Sequence, residues 1–315
     1  MDRRGFLETA AIAATGTCVA DGDSKAAQPE RPMPRIIDTH VHLWDLTRLR
    51  LPWVQKDSPL ARSFVIKDYQ TAVEGLNVVK GIYMEVDVDA RDLNAEADFV
   101  LDLCRQANTP LAAAVIGGRP AEAGFDKYIG RFRGNRFLKG VRQVLHSDSA
   151  KPGFCLTPAF VRGVQQLGDA GLSFDLCMRP TEVGDAVKLT EACPNTRFIL
   201  DHCGNGPVYA KDRTQWQRDM ERLARQRNVV CKVSGIVVQA RERWTAADLA
   251  PVINHTLDTF GPDRVMFAGD WPVCTLKATF RQWVEALRSI VRTRTEENQR
   301  KLFHDNAARF YGIMG

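Results

Sequence analysis

From residue 35 onward, short apolar or β-branched runs alternate with longer stretches that repeat every three to four residues. The runs predict strands near 35–41, 78–86, 111–116, 137–145, 172–178, 197–203, 229–234 and 264–269. Amphipathic segments at 92–107, 158–170, 181–193, 214–227 and 246–260 predict helices between them, and 280–292 and 296–310 follow the last strand. Pro158, Pro180 and Pro194 fall at or near element ends, where proline acts as a start or stop signal. Spread over residues 35–270, the strands recur about every thirty residues, the size of one strand–helix unit. Eight such units predict an α/β fold, a single-domain (β/α)8 TIM barrel over residues 28–315. A doubly wound open sheet would need a glycine-rich phosphate turn after its first strand, and Asp38-Thr39-His40-Val41-His42 offers none.

The first residues follow another logic. Arg3-Arg4-Gly5-Phe6-Leu7 precedes a mild apolar stretch from Ala10 to Ala20, which fits a twin-arginine export signal over residues 1–27 and a periplasmic destination. At about ten residues that stretch is too short for the ~20 that span a bilayer, so no membrane span is expected. The 43 Lys and Arg against 38 Asp and Glu leave a formal charge of +5. Those basic residues are scattered and no nucleic-acid-binding motif accompanies them, so nucleic acid is excluded as a partner. Eight cysteines at 18, 104, 155, 177, 193, 203, 231 and 274 show no CxxC spacing, and several lie in apolar runs. They read as small buried hydrophobes.

A barrel carries its chemistry at the C-terminal ends of its strands. The first end supplies His40 and His42, the second Glu85, the fourth Arg142 and His146, and the fifth Asp175 to Arg179. Asp201 and His202 end the sixth, Ser234 the seventh, and Asp270-Trp271 the eighth. Four of the six histidines therefore stand at predicted strand ends, while His255 and His304 fall in helical stretches. Residues two apart on a strand share a face, so His40 and His42 point into one space. Two imidazoles on one face suit a transition-metal ion, most often zinc. His202 and Asp270 complete the inventory of one hydrolytic metal site.

Ile37-Asp38-Thr39-His40-Val41-His42-Leu43-Trp44 resembles the first strand of the amidohydrolase superfamily. Lys139-Gly140-Val141-Arg142, Phe174-Asp175-Leu176-Cys177, Leu200-Asp201-His202-Cys203-Gly204, Phe267-Ala268-Gly269-Asp270-Trp271-Pro272-Val273 and Asn306-Ala307-Ala308-Arg309-Phe310-Tyr311 narrow the likeness. Together they resemble its branch of sugar lactonases and 2-pyrone-4,6-dicarboxylate lactonase, over roughly residues 35–312. The resemblance implies a barrel that opens lactones of the L-fuconolactone or L-rhamnonolactone type, with an aspartate at the eighth strand end as general base. Binuclear members carry a bridging lysine or glutamate on the fourth strand and a histidine on the fifth. Here those positions end in Arg142-Gln143 and Cys177-Met178, so the resemblance implies one divalent ion or none on His40, His42, His202 and Asp270. Asn205-Gly206-Pro207 and Thr181 depart from the branch near the expected substrate.

Hydrolysis of a cyclic ester needs a base for water, for which Asp270 is placed. It needs a polarised carbonyl, by a metal on His40 and His42, by His202, or by both. It also needs a grip on the substrate, and Arg142 and Arg179 are cationic and fork-shaped. His146, Glu85 and Trp271 complete the candidates for substrate contact. Two alternatives remain, a mononuclear metal-dependent decarboxylase of the same superfamily and an inactive sugar-acid binding barrel. The sequence leaves the oligomeric state open, a homo-oligomer included.

Overall fold

All eight expected strands form: β1 (Ile36–Val41), β2 (Val78–Met84), β3 (Leu111–Gly117), β4 (Leu138–Val144), β5 (Ser173–Cys177), β6 (Arg197–Leu200), β7 (Val229–Val233) and β8 (Val265–Phe267). The computed structural model describes residues 33–147 and 150–313. The segment read as an export signal lies outside the described residues. Neighbouring strands pair parallel and in chain order from β1 to β8. The seam between β8 and β1 is narrower, because β8 has three residues. Thr39 Oγ1 donates to Phe267 O at 2.7 Å, Asp270 N to His40 O at 2.9 Å and His42 N to Trp271 O at 2.8 Å. These bonds bring the sheet round into a nearly closed (β/α)8 barrel.

The period-2 alternation of the strands sets what fills it. Ile37, Ile82, Met84, Ala113, Val115, Ile199 and Met266 form one apolar cluster, closed by Ala307, Tyr311 and Ile313 at the chain's end. The alternate residues, such as Ile36, Tyr83, Ala114 and Ile116, pack instead with the apolar faces of the helices. Towards the C-terminal strand ends the buried interior becomes charged, with Glu85, Arg142, Asp175, Asp201 and Lys232. The functional residues stand on that layer.

Five helices between strands and the one after β8 lie within three residues of expectation, from Leu93–Arg105 to Phe280–Val291. Two others escaped the periodic signal, Ile66–Ala72 and Phe125–Gly130. At seven and six residues they are too short to repeat an apolar stripe. The final helix is interrupted: Glu296–Arg300 and Asn306–Tyr311 flank a π-helical turn over Lys301–Asp305. Beyond that wide turn, Asn306 Nδ2 donates to Pro262 O and Val265 O, both at 2.7 Å, pinning the approach to β8. The seven described cysteines are free and buried. Among the described residues no helix is long and apolar enough to cross a membrane.

Candidate active site

His40 and His42 leave β1 on one face, as their spacing requires, with Nε2 atoms 3.1 Å apart. Their outer nitrogens settle which tautomers they hold. His42 Nδ1 lies 3.0 Å from the Met84 carbonyl, which can only accept, so Nδ1 carries the proton and Nε2 a bare lone pair. His40 turns Nδ1 towards Asp201 Oδ1 at 3.6 Å and meets an Arg142 Nη1 donor at Nε2, 3.2 Å away. Its Nε2 is therefore an acceptor too. Asp270 Oδ1 stands 3.4 Å from His42 Nε2 and 3.7 Å from His40 Nε2. Three acceptor atoms thus converge, one of them already facing the Arg142 guanidinium, an arrangement that suits a cation or a donating ligand at its centre.

His202 joins this group, its ring centroid 4.7 Å from that of His40. Ser234 Oγ, 2.8 Å from His202 Nδ1, fixes the ring's rotation. Gly235 makes room for it, because a Cβ there would lie 2.5 Å from the ring and the residue already holds φ of 64°. Both His202 and Asp270 have φ of 55°, in the left-handed region that ordinary residues avoid. Such outliers gather at functional sites, where they aim a side chain that a regular strand would send elsewhere. Donor atoms of His40, His202 and Asp270 lie close enough to hold one ion. Burial pushes the His40 imidazole well below its usual value and lowers that of His202, so both stay neutral and able to ligate. The residues present fit a single divalent ion.

Beneath them lies an ion-pair layer that sequence reading only partly anticipated. Arg142, expected to grip the substrate from the end of the fourth strand, is 4% exposed and inside the barrel. Its Nε donates to Glu85 Oε1 at 2.6 Å, its Nη2 to Glu85 O at 2.7 Å and its Nη1 to Asp201 Oδ2 at 3.3 Å. Glu85, expected among the substrate contacts, therefore orders Arg142. Lys232 was missed. It is fully buried on β7, its Nζ 2.5 Å from Asp175 Oδ2 and 3.2 Å from Asp201 Oδ1. Burial disfavours its charge, but Asp175 and Asp201 outweigh that and keep the ammonium protonated. Burial likewise acts to raise the Asp201 carboxyl, while Lys232 and then His40 hold it well below the usual range. The available signal was a lysine set inside the apolar run Val229-Val230-Cys231-Lys232-Val233.

A cavity of about 280 Å³ opens over this ground, lined by His42, His202, Asp270, Arg142, Cys177 and His146 among others. Cys177 Sγ lies 3.3 Å from His146 Nδ1. Desolvation, with His202, Arg142 and Arg179 nearby, pushes the His146 imidazole down to about 4. Three candidates stand apart from this cavity. Arg179 donates to Leu145 O, Ser147 O and Ala150 O and pairs with Glu182, which ties the loop after β4 in place. Glu85 lies behind Arg142. Trp271 packs against Phe64 and Tyr69, with ring centroids 5.5 Å away in each case. His255 and His304 sit in the helical segments expected of them, beside Trp216 and Asp305.

A family model described as amidohydrolase matches residues 37–313. An L-fucono-1,5-lactonase of Burkholderia multivorans is 28% identical over 291 residues, covering 88% of this chain and 96% of that one. An L-rhamnono-gamma-lactonase of Scheffersomyces stipitis is 24% identical over 341 residues, covering 89% and 99%. Among solved structures, an amidohydrolase of Burkholderia multivorans with bound zinc is 26% identical, with a TM-score of 0.80 over 89% of this chain and 100% of that one.

Proposed function

The chain belongs to the amidohydrolase family, and on that premise we propose that it hydrolyses a lactone with water activated by Asp270. The observation that carries this reading is the convergence of His40 Nε2, His42 Nε2 and Asp270 Oδ1 within 3.1–3.7 Å, beside His202 and open to the cavity. The lactonases among its relatives support the same reaction class.

Asp270 accepts a proton from water as the water oxygen attacks the lactone carbonyl. The carbonyl oxygen gains charge, and His202, locked by Ser234, is placed to stabilise it. As the ring C–O bond breaks, the leaving alkoxide takes a proton back from Asp270, and a hydroxy acid results. A divalent ion held by His40, His42, His202 and Asp270 supplies a Lewis acid for the carbonyl oxygen when bound. Arg142 forms part of the floor of the site, where its Nη1 faces His40 and its Nε locks Glu85.

The test is Asp270→Asn. Turnover of a hydrolysable lactone should fall by about 10²–10⁴-fold, the usual loss of a general base. A variant that keeps more than half of the parental kcat would place the base elsewhere.

A further inference from the structure

The walls of the cavity differ in chemistry from its floor. Above His42, His202 and Asp270 stand Val86, Val144, Val238, Val273 and Trp53. They come from different strand ends: Val86 follows β2, Val144 ends β4, Val238 follows β7, Val273 follows β8, and Trp53 lies between β1 and β2. The apolar wall therefore draws on several sides of the cavity rather than one edge. Trp53 adds no polar edge of its own, because its Nε1–H donates to Val86 O at 2.7 Å.

The charge facing this space is acidic. Asp87, Asp270 and Arg142 line it, and the cations that could offset a substrate carboxylate are each already paired. Arg142 is held by Glu85 and Asp201, Arg179 by three backbone carbonyls and Glu182, and Arg119 by Asp87 at 3.3 Å. A carboxylate-bearing lactone would meet two carboxylates and no free guanidinium. Hydroxyls fare little better. Besides the histidines and Cys177, the uncharged polar side chains along the wall are Ser147, Asn205 and Gln239, and the Asn205 amide already donates to Met178 O at 2.9 Å. A ring bearing hydroxyls all round would turn several of them towards valine methyls. At about 280 Å³ the space is at the small end of the ~300–1,000 Å³ usual for ligand cavities, so few waters would remain to satisfy them.

We propose that this cavity selects an uncharged lactone with a hydrocarbon flank, alkyl or aryl, over polyhydroxylated or carboxylate-bearing lactones. The inference rests on the lactonase reading and narrows it. The reacting ester sits on the polar floor, and the flank fills the ring of valines beneath Trp53. This departs from the sugar-acid expectation drawn from sequence, and its cause is the wall rather than the reacting centre.

The experiment compares kcat/KM of the purified full-length protein on four probes in a pH-indicator assay: dihydrocoumarin and δ-nonalactone against L-fucono-1,5-lactone and glucono-1,5-lactone. The hydrocarbon-flanked pair should be favoured by roughly tenfold or more, the scale on which apolar pockets discriminate. Val238→Asn should shrink that ratio at least about threefold by placing an amide in the wall. Equal or greater kcat/KM on the two sugar lactones overturns this inference and leaves lactone hydrolysis standing. Hydrolysis of none of the four, with the protein folded and metal supplied, overturns both. A preference that Val238→Asn leaves unchanged overturns the assignment of selectivity to the wall.

Discussion

Replacing Lys232 with methionine tests whether the charged layer under the site holds the barrel together. The ammonium lies 2.5 Å from Asp175 and 3.2 Å from Asp201, and all three side chains are fully buried. Methionine nearly matches lysine in volume, so no cavity confuses the result, but both carboxylates lose a counter-charge. Asp201 keeps Arg142 at 3.3 Å, whereas no other ion pair reaches Asp175 among the described residues. Removing one partner of a buried pair typically costs ~3–5 kcal/mol, mostly because the survivor stays charged or must take up a proton. A domain of this size loses about 2–4 °C of Tm per kcal/mol, so the variant should melt about 6–20 °C lower. The assay is thermal unfolding followed by circular dichroism, with Lys232→Met/Asp175→Asn beside it. The double variant should recover part of the loss, since the amide needs no counter-charge. A single variant as stable as the parent, or a double variant that is less stable still, would refute the reasoning.

Three further outcomes follow from particular contacts. Gly235→Ala puts a methyl 2.5 Å from the His202 ring, so kcat should fall by about 10²-fold through displacement of that ring, with secondary structure retained; kinetics within a factor of two of the parent would mean that His202 does not act. Burial, then Glu85, pushes the Glu96 carboxyl up from 4.5 to about 8. The folded state holds that proton across the interval while the unfolded chain does not, so this stability is complete below 4.5 and is lost as pH rises through about 8. Glu96→Gln should flatten the loss in urea titrations between pH 5 and pH 9, and an unaltered slope would assign it to other groups. Elemental analysis of the purified protein should return no more than one divalent ion per chain, because the Arg142 guanidinium lies 3.2 Å from His40 Nε2 where a second ion would need a ligand; two tightly held ions would contradict that geometry.

The strands were legible because a buried parallel strand is apolar nearly throughout, and the run Leu111-Ala112-Ala113-Ala114-Val115-Ile116 leaves little else to read. The pairing of His40 with His42 was legible for an equally local reason, the two-residue repeat of a strand. What stayed hidden depends on closure of the barrel. Asp175 and Lys232 are 57 positions apart, and Glu85 and Arg142 likewise 57, so no window of sequence contains either pair. Seen singly, Lys232 is a stray polar residue in a strand and Arg142 a free cation at a strand end. Closure brings β2, β4 and β6 together round the axis, as alternate strands of a barrel do, and makes Arg142 a filled position of the interior. The apolar wall was hidden too, because Val86, Val144, Val238 and Val273 lie in segments whose common feature is where they end.

The left-handed backbone of Asp270 also decides which substitution tests its chemistry. At φ of 55° most side chains are strained, while asparagine and aspartate tolerate the region because their short polar groups bond locally. Around it the chain is firmly tied: Asp270 N donates to His40 O at 2.9 Å, and Gly269 N to Asp38 Oδ1 at 2.6 Å. Gly269 is closely packed as well, since a Cβ there would fall 2.5 Å from the Asp38 carboxylate. Alanine at 270 would thus remove the carboxylate and add strain at once, and lost activity could come from either. Asparagine keeps the volume, the backbone preference and the β8–β1 seam, and removes the carboxylate charge that would take a proton from water and hold an ion beside His40 and His202. Asp270→Asn should therefore leave the melting temperature within about 2 °C of the parent, a change of under ~1 kcal/mol, while kcat collapses. If Asn and Ala variants lose activity equally and Asn melts far below the parent, the carboxylate holds the seam, and the proton acceptor must be sought among the other residues of the cavity floor.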